Sequence, residues 1–314
     1  MSHATSAAGA TSTGIRDGLA CAACGAELPA EPAIRGSDRL HGIPGDFAVH
    51  VCEACGSGRT APVVPTERLG ELYPQGYNAY GLPANRLARS AATGLFRWRY
   101  WRGLRRPPLG ALRERGPGRL LDVGSGRGDL GVTLSDWDVT GLEPSPQACE
   151  EARARGVPTI EGTLTTAQVD GPFDALVFQH SLEHVADPLD DLTVARELLA
   201  PGGLVLVSLP NFGSWHARRF EADWFHLDLP RHRSHFTAYG LATLLRRAGF
   251  DHEQITTSTS ADGLPMSLQY RRYGERRFRE GFGLYAATAV TLASAPLTAL
   301  LDRDGDVLHA VASR

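Results

Sequence analysis

The sequence predicts a doubly wound α/β sheet preceded by a small metal-stapled ribbon. Three observations predict it. A short apolar strand at residues 119–123 runs directly into Gly124-Ser125-Gly126-Arg127-Gly128, and a helix starts near Leu130. Further apolar runs bounded by turn residues follow, up to a closing pair of strands at 251–258 and 306–312. Ahead of all this stand two Cys-x-x-Cys pairs, Cys21/Cys24 and Cys52/Cys55, each followed by Gly.

The 314 residues suffice for one full α/β domain plus an accessory module. Residues 1–16 are small and polar, lack an apolar signal segment and read as a disordered tail, so a cytoplasmic location is expected. Charge is nearly balanced, with 32 basic and 35 acidic residues; all 32 basic residues are Arg. No positive excess exists to hold a polyanion, which argues against nucleic acid as partner.

Residues 17–62 form the expected ribbon. A Cys-x-x-Cys turn presents two thiolates to one ion, and the next Gly relieves the backbone where it folds over. Two such turns, from Cys21, Cys24, Cys52 and Cys55, make a four-thiolate site suited to zinc. With no position left for water, the zinc would be structural, supplying stability that a segment this short cannot bury. Cys149 stands alone on an expected helix and reads as a small packed side chain.

Residues 63–107 bridge the ribbon to the main domain. Tyr73, Tyr77 and Tyr80 precede a stretch in which Phe96, Trp98, Tyr100 and Trp101 interleave with arginines. An interdomain core, a lid over a substrate and a base-stacking surface all remain open for it, the first favoured. The main domain is expected over 108–314.

In that domain the glycine loop lets backbone N–H groups approach a ligand. Asp122 can accept from a cationic amine. Glu143 ends the second strand, about 20 residues beyond the loop, where it can hold two ribose hydroxyls. The same glycines fit G-x-G-x-x-G at Gly126, Gly128 and Gly131, so a nicotinamide dehydrogenase has to be weighed. Asp122 before the glycines, the strand Phe173-Asp174-Ala175-Leu176-Val177-Phe178 and the Pro201-Gly202-Gly203 turn before Leu204 decide against it.

With these motifs the chain resembles the class I S-adenosylmethionine-dependent methyltransferases, on a Rossmann-like seven-stranded sheet. It is most similar to the bacterial group found among sugar, polysaccharide and natural-product biosynthesis enzymes, which also resembles the ubiquinone-pathway O-methyltransferases. The likeness covers roughly residues 110–260 and includes Leu182-Glu183-His184-Val185-Ala186-Asp187-Pro188, Leu229-Pro230-Arg231-His232 and His235-Phe236-Thr237. The paired cysteines and the tyrosine cluster are similar to members of that group too. The resemblance implies cofactor contacts at Asp122, Gly124, Ser125, Gly126, Glu143, Thr163 and Gln179.

Methyl transfer to a hydroxyl needs an aligned nucleophile and a group to take its proton, a task that suits His. Gln179-His180-Ser181-Leu182-Glu183-His184 starts at the carboxyl edge of the sheet, where ligands bind in such folds. On a helix His180 and His184 would share a face. The segment also spells H-x-x-E-H, a zinc-peptidase signature, but its place after a strand and beside the cofactor loop argues otherwise. His180 and Glu183 could also hold a divalent ion, although ubiquinone-pathway relatives carry an acid where His180 stands. A second cluster, residues 224–235, follows the fifth strand. His232 there is the alternative base, and Tyr77, Trp224 and Arg231 are the expected substrate contacts.

An insertion at about 260–304 precedes the last strand. Residues 281–301 carry no charge and are long enough on paper to span a bilayer, yet both ends must return to the same sheet. Peripheral contact with the inner face of the membrane, a homodimer surface and packing on the domain are the readings left. The expected function is O-methylation of a small molecule, sugar or lipid-linked glycan. An RNA methyltransferase gripping through the ribbon and a non-catalytic assembly protein are the alternatives.

Overall fold

The computed structural model describes residues 19–64, 68, 71–72, 108–260, 263–275 and 304–314. The tail at 1–16, Tyr77 with most of the bridge, and the apolar run 281–301 lie outside the described residues. Among the described residues no helix is long and apolar enough to cross a membrane.

The main sheet has seven strands. In chain order they are β4 (Arg119–Val123), β5 (Asp138–Glu143), β6 (Thr159–Glu161), β7 (Phe173–Gln179), β8 (Leu199–Pro210), β10 (Asp251–Ser258) and β11 (Val307–Ser313). Their spatial order is β10-β11-β8-β7-β4-β5-β6. β4 to β8 pair in parallel, and β11 lies antiparallel between β8 and β10. This is the expected Rossmann-like methyltransferase sheet, with β4 and β7 at its centre. The central strands are covered on both faces, so Leu120, Leu121, Leu176, Phe178, Val205 and Val207 are buried. The Pro201-Gly202-Gly203 turn bulges out of the β7–β8 pairing, where the register jumps from Phe173↔Leu199 to Ala175↔Leu204.

The helices begin where local chemistry dictates. α1 (Leu109–Arg115) leads into β4, and α2 (Asp129–Thr133) follows the glycine loop. In α3 (Pro146–Ala154) the Ser145 side chain accepts from Ala148 N–H, and Pro occupies the first turn. In α4 (Pro188–Leu198) Asp187 accepts from Leu189 and Asp190 N–H. α5 (Trp215–Phe220) and two 3-10 turns, Glu221–Asp223 and Phe225–Leu227, carry the chain across the edge of the sheet. α6 (Ala238–Arg247) buries Leu241, Leu244 and Leu245, and α7 (Gly263–Tyr273) precedes the last strand.

The ribbon is not a detached module. Its strands β1 (Ile34–Gly36), β2 (Phe47–Val51) and β3 (Gly58–Ala61) form an antiparallel sheet whose fourth strand is β9 (Ser234–His235), part of the segment after β8. Cys21, Ala23, Leu28, Cys52 and Cys55 share one apolar cluster with Phe236, Leu241, Leu244 and Leu245. Phe47 and Val49 pack with Phe220, Trp224, Leu227 and Leu229. A segment too short to bury a core of its own borrows one from the larger domain.

Candidate active site

The cofactor loop is held from below by β5. Gly124 and Ser125 N–H both donate to Leu142 O, at 2.8 and 3.2 Å. Gly124 has φ 75°, and a Cβ there would stand 2.5 Å from Ser181 Cβ. Only Gly permits that conformation and that approach together. Glu143 closes the loop from the side: its carboxylate accepts from Gly126 N–H and Ser145 N–H, both at 2.9 Å. Thr163 lies beyond β6 with its hydroxyl bonded to Thr165 and Thr166, and Gln179 ends β7.

The electrostatics of this loop favour a cationic guest. Burial pushes the Asp122 carboxyl up to about 7, and the charges of Glu143 and Asp129 add to the effect. Burial also raises Glu143, against the pull of its two N–H donors. Two reluctant carboxylates side by side favour a positively charged guest, because it stabilises the ionised form of both. S-adenosylmethionine carries a sulfonium and an ammonium group and fits. A dinucleotide would bring its pyrophosphate anion toward the same carboxylates.

Beyond Gln179 the chain turns sharply. His180 has φ 54° and donates its N–H to Ser208 O at 2.8 Å. No helix forms over 180–184: His184 N–H reaches back to Ser181 O in a tight turn, and α4 starts only at Pro188. His180 and His184 therefore do not share a helical face. The reason is competition for backbone groups. Glu183 O accepts from Arg233 and Ser234 N–H, at 2.9 and 3.1 Å, stitching this turn to the 226–235 segment.

That stitching gathers four of the singled-out side chains. His180 Nδ1 lies 3.5 Å from Glu183 Oε1, and His232 Nε2 lies 3.9 Å from the same oxygen. The His184 and His232 rings meet edge to face at 4.7 Å. Glu183 is 1% exposed. Burial opposes its ionisation, but His180 and His184 outweigh burial and bring its pKa below the usual glutamate value. His232 is buried, and burial drives its pKa well below the ordinary histidine value, with the neighbouring histidines acting the same way. The His180 side chain keeps 29% of its surface exposed.

Two expected substrate contacts are buried. Trp224 is buried among the apolar residues that join ribbon to loop. Arg231 is fully buried. It donates from both terminal nitrogens to Asp38 of the ribbon, at 2.7 and 2.8 Å, and to Asp228, at 2.6 Å. Burial works against its charge, and the two carboxylates more than compensate and raise its pKa. Reading the sequence missed Asp38, since nothing local marks a partner 193 residues away. It also missed Asp306, buried before β11, which accepts from Ser260 N–H and hydroxyl and lies 3.4 Å from His226 Nε2.

The four ribbon thiols converge. All lie within 4.8 Å of one another, with Cys21–Cys55 and Cys24–Cys52 sulfur pairs at 3.5 Å. A tetrahedral ion with bonds of about 2.3 Å would set sulfurs about 3.8 Å apart, so the donor set fits zinc. Gly25 and Gly56 N–H close the two turns onto Cys21 O and Cys52 O, each at 2.8 Å. Their φ values of 80° and 72° explain the paired glycines.

Fold and loop together define a class I S-adenosylmethionine-dependent methyltransferase. A family model described as "Methyltransferase domain" matches residues 96–255, and the chain belongs to that family. A ubiquinone biosynthesis O-methyltransferase of Cereibacter sphaeroides strain ATCC 17025 is 34% identical over 148 residues, 42% of this chain and 60% of that protein. Its counterpart in strain ATCC 17023 is 33% identical over 182 residues, 51% of this chain and 74% of that protein. Among solved structures, an S-adenosylmethionine-dependent methyltransferase from Mesorhizobium loti is 21% identical, covers 68% of this chain and 97% of its own, and superimposes with a TM-score of 0.46.

Proposed function

We propose that the protein methylates a hydroxyl of a small molecule, sugar or glycan, with His180 as general base. The observation that carries this reading is the His180–Glu183 pair beside the cofactor loop. Ser181, the next residue, is the neighbour that Gly124 leaves room for, so His180 stands within one residue of the loop. Its Nδ1 faces a buried carboxylate at 3.5 Å. Such spacing is common before a substrate binds and shortens on binding. A carboxylate on Nδ1–H fixes the tautomer and leaves Nε2 to accept a proton, the logic of a histidine–carboxylate dyad. The buried His232 places its Nε2 3.9 Å from the same Glu183 oxygen.

Bound S-adenosylmethionine supplies an electrophilic methyl group, held by Asp122, Gly124, Ser125, Gly126, Glu143, Thr163 and Gln179. His180 takes the hydroxyl proton at Nε2 as the acceptor oxygen bonds to carbon. His180 keeps the proton while the displaced carbon–sulfur electron pair goes to S-adenosylmethionine, which would leave as a neutral thioether, so charge balances. Oxygen as the acceptor atom is supported by the relatives named O-methyltransferases. The ribbon thiolates of Cys21, Cys24, Cys52 and Cys55 hold a structural zinc.

His180→Ala is expected to lower kcat by about 10²–10⁴-fold, the usual worth of a general base. Cofactor affinity should stay unchanged, because among the described residues no hydrogen bond joins the ring to the loop. Calorimetry with S-adenosylmethionine beside turnover on a hydroxylated acceptor checks both. Normal turnover in this variant would remove His180 from the role.

A further inference from the structure

We infer that Glu183, His184 and His232 form a binding site for a divalent transition-metal ion, separate from the cysteine cluster. The inference rests on the methyltransferase reading only for its purpose, not for its geometry. The three side chains bring one ligand atom each to within 4.8 Å of one another. They come from two segments, residues 183–184 after β7 and residue 232 after β8, fastened together by the two N–H donations to Glu183 O.

Both imidazoles are set for ligation. His184 Nδ1 lies 3.0 Å from Arg231 O, and His232 Nδ1 lies 2.8 Å from His226 O. A carbonyl oxygen can only accept, so each Nδ1 carries the proton and each Nε2 carries the lone pair. Locking one ring nitrogen to a backbone carbonyl is how proteins orient a histidine toward a metal.

The carboxylate points the same way. Among the described residues neither Oε1 nor Oε2 of Glu183 has a hydrogen-bond partner, although the side chain is almost wholly buried. A buried carboxylate whose imidazole neighbour stands 3.5 Å away is costly, and a bound cation would offset that cost. The His232 Nε2–Glu183 Oε1 separation of 3.9 Å is too long for a hydrogen bond. It is close to the spacing of two ligands on a shared ion: bonds of about 2.1 Å at tetrahedral angles put ligand atoms about 3.4 Å apart. For that pair about half an ångström of movement closes the difference.

Two imidazoles and one carboxylate suit zinc, iron, cobalt or nickel better than magnesium or calcium, which prefer all-oxygen sets. Three protein ligands leave a position open, the pattern of catalytic rather than structural metal sites. Partly exposed His184 and His180 border that position. An acceptor hydroxyl bound there would become more acidic and lose its proton to His180 more readily. The Glu183 carboxylate has lone pairs enough to ligate the ion and to orient His180.

The test is metal binding, read apart from turnover. Metal-free protein is titrated with Co²⁺, followed by visible spectroscopy and elemental analysis, and S-adenosylmethionine affinity is measured on the same samples. The wild-type chain should take up two equivalents. One should show the intense sulfur-to-cobalt charge transfer of a tetrathiolate site and the other only weak visible bands. Glu183→Gln and His232→Ala should each lose the second equivalent and keep the sulfur bands. A wild-type chain that binds one equivalent overturns the inference without needing any variant to fold. So does a second equivalent that survives both substitutions. If S-adenosylmethionine binds while the second ion does not, the metal site falls and the methyltransferase reading stands. If S-adenosylmethionine does not bind, that reading falls whatever the cobalt count.

Discussion

Replacing Cys21 and Cys52 together by Ser is expected to release the ribbon metal and to cut turnover by about 100-fold or more, while S-adenosylmethionine still binds. The ribbon contributes three strands to the sheet that β9 completes. Thr60 alone makes three contacts across that seam: its N–H donates to Arg233 O at 3.0 Å, its hydroxyl donates to His232 O at 2.6 Å, and the hydroxyl meets His235 Nε2 at 2.9 Å. Thr237 adds a hydroxyl donation to Cys55 O at 2.8 Å. Loosening the thiolate cluster therefore frees the backbone that holds His232 and Glu183. Displacement of about 1 Å in a reacting group costs about 10² in rate. The cofactor loop rests on β4 and β5 instead, so its affinity should survive. Elemental analysis, calorimetry and turnover on one preparation check the three parts. Full zinc content in the double variant would refute the metal assignment, and unchanged turnover after zinc loss would refute the coupling.

Arg231→Met is expected to destabilise the protein by about 3–5 kcal/mol, because it strands the buried Asp38 carboxylate and half-strands Asp228. For a chain of this size that corresponds to a fall in Tm of roughly 10 °C. Arg231→Lys should recover little, since one ammonium cannot reproduce a fork that reaches Asp38 with two nitrogens and Asp228 as well. Asp38 also accepts from Leu40 and His41 N–H, at 2.9 and 3.0 Å, so Asp38→Ala should cost a comparable amount. A double-mutant cycle should show that the two losses do not add. Strict additivity would mean that the pair does not join ribbon to loop.

The pH dependence follows from the same groups, with opposite signs. Burial would raise Asp38, but Arg231 and the two N–H donors hold it below its ordinary value. Its contribution to stability is present above the normal aspartate range and is lost as pH falls through the depressed value. Asp122 behaves the other way. Its pKa of about 7 in the folded chain favours the protonated form, so that contribution is present in acid and disappears as pH rises through 7. A cationic cofactor offsets the loss. The thermal stabilisation given by S-adenosylmethionine should accordingly grow between pH 6 and pH 8.

Much of the sheet is legible in the sequence because buried parallel strands leave continuous apolar runs. β4, β5, β7 and the core of β8 lie where those runs fall, and the antiparallel β10 and β11 lie where the closing pair of strands is expected. The glycine loop is legible because positive φ and close approach admit few other residues. The paired Cys-x-x-Cys-Gly turns are legible for the same reason. What the sequence hides is set by distant partners. β9 is two residues long and forms only because β3 offers an edge. The 180–184 segment has helical spacing, but its backbone groups are claimed by Ser208, Arg233 and Ser234. Arg231 looks like a ligand contact in a loop dense with His and Asp, and only the fold brings Asp38 to meet it.

The loop from Asp122 to Gly128, flanked by Glu143, is expected to select a sulfonium donor over a dinucleotide. Isothermal titration of the full chain at pH 8 with S-adenosylmethionine and, separately, with NAD measures that selectivity. Saturable one-site binding of S-adenosylmethionine with no heat from NAD is the predicted result. Binding of NAD without binding of S-adenosylmethionine would contradict it.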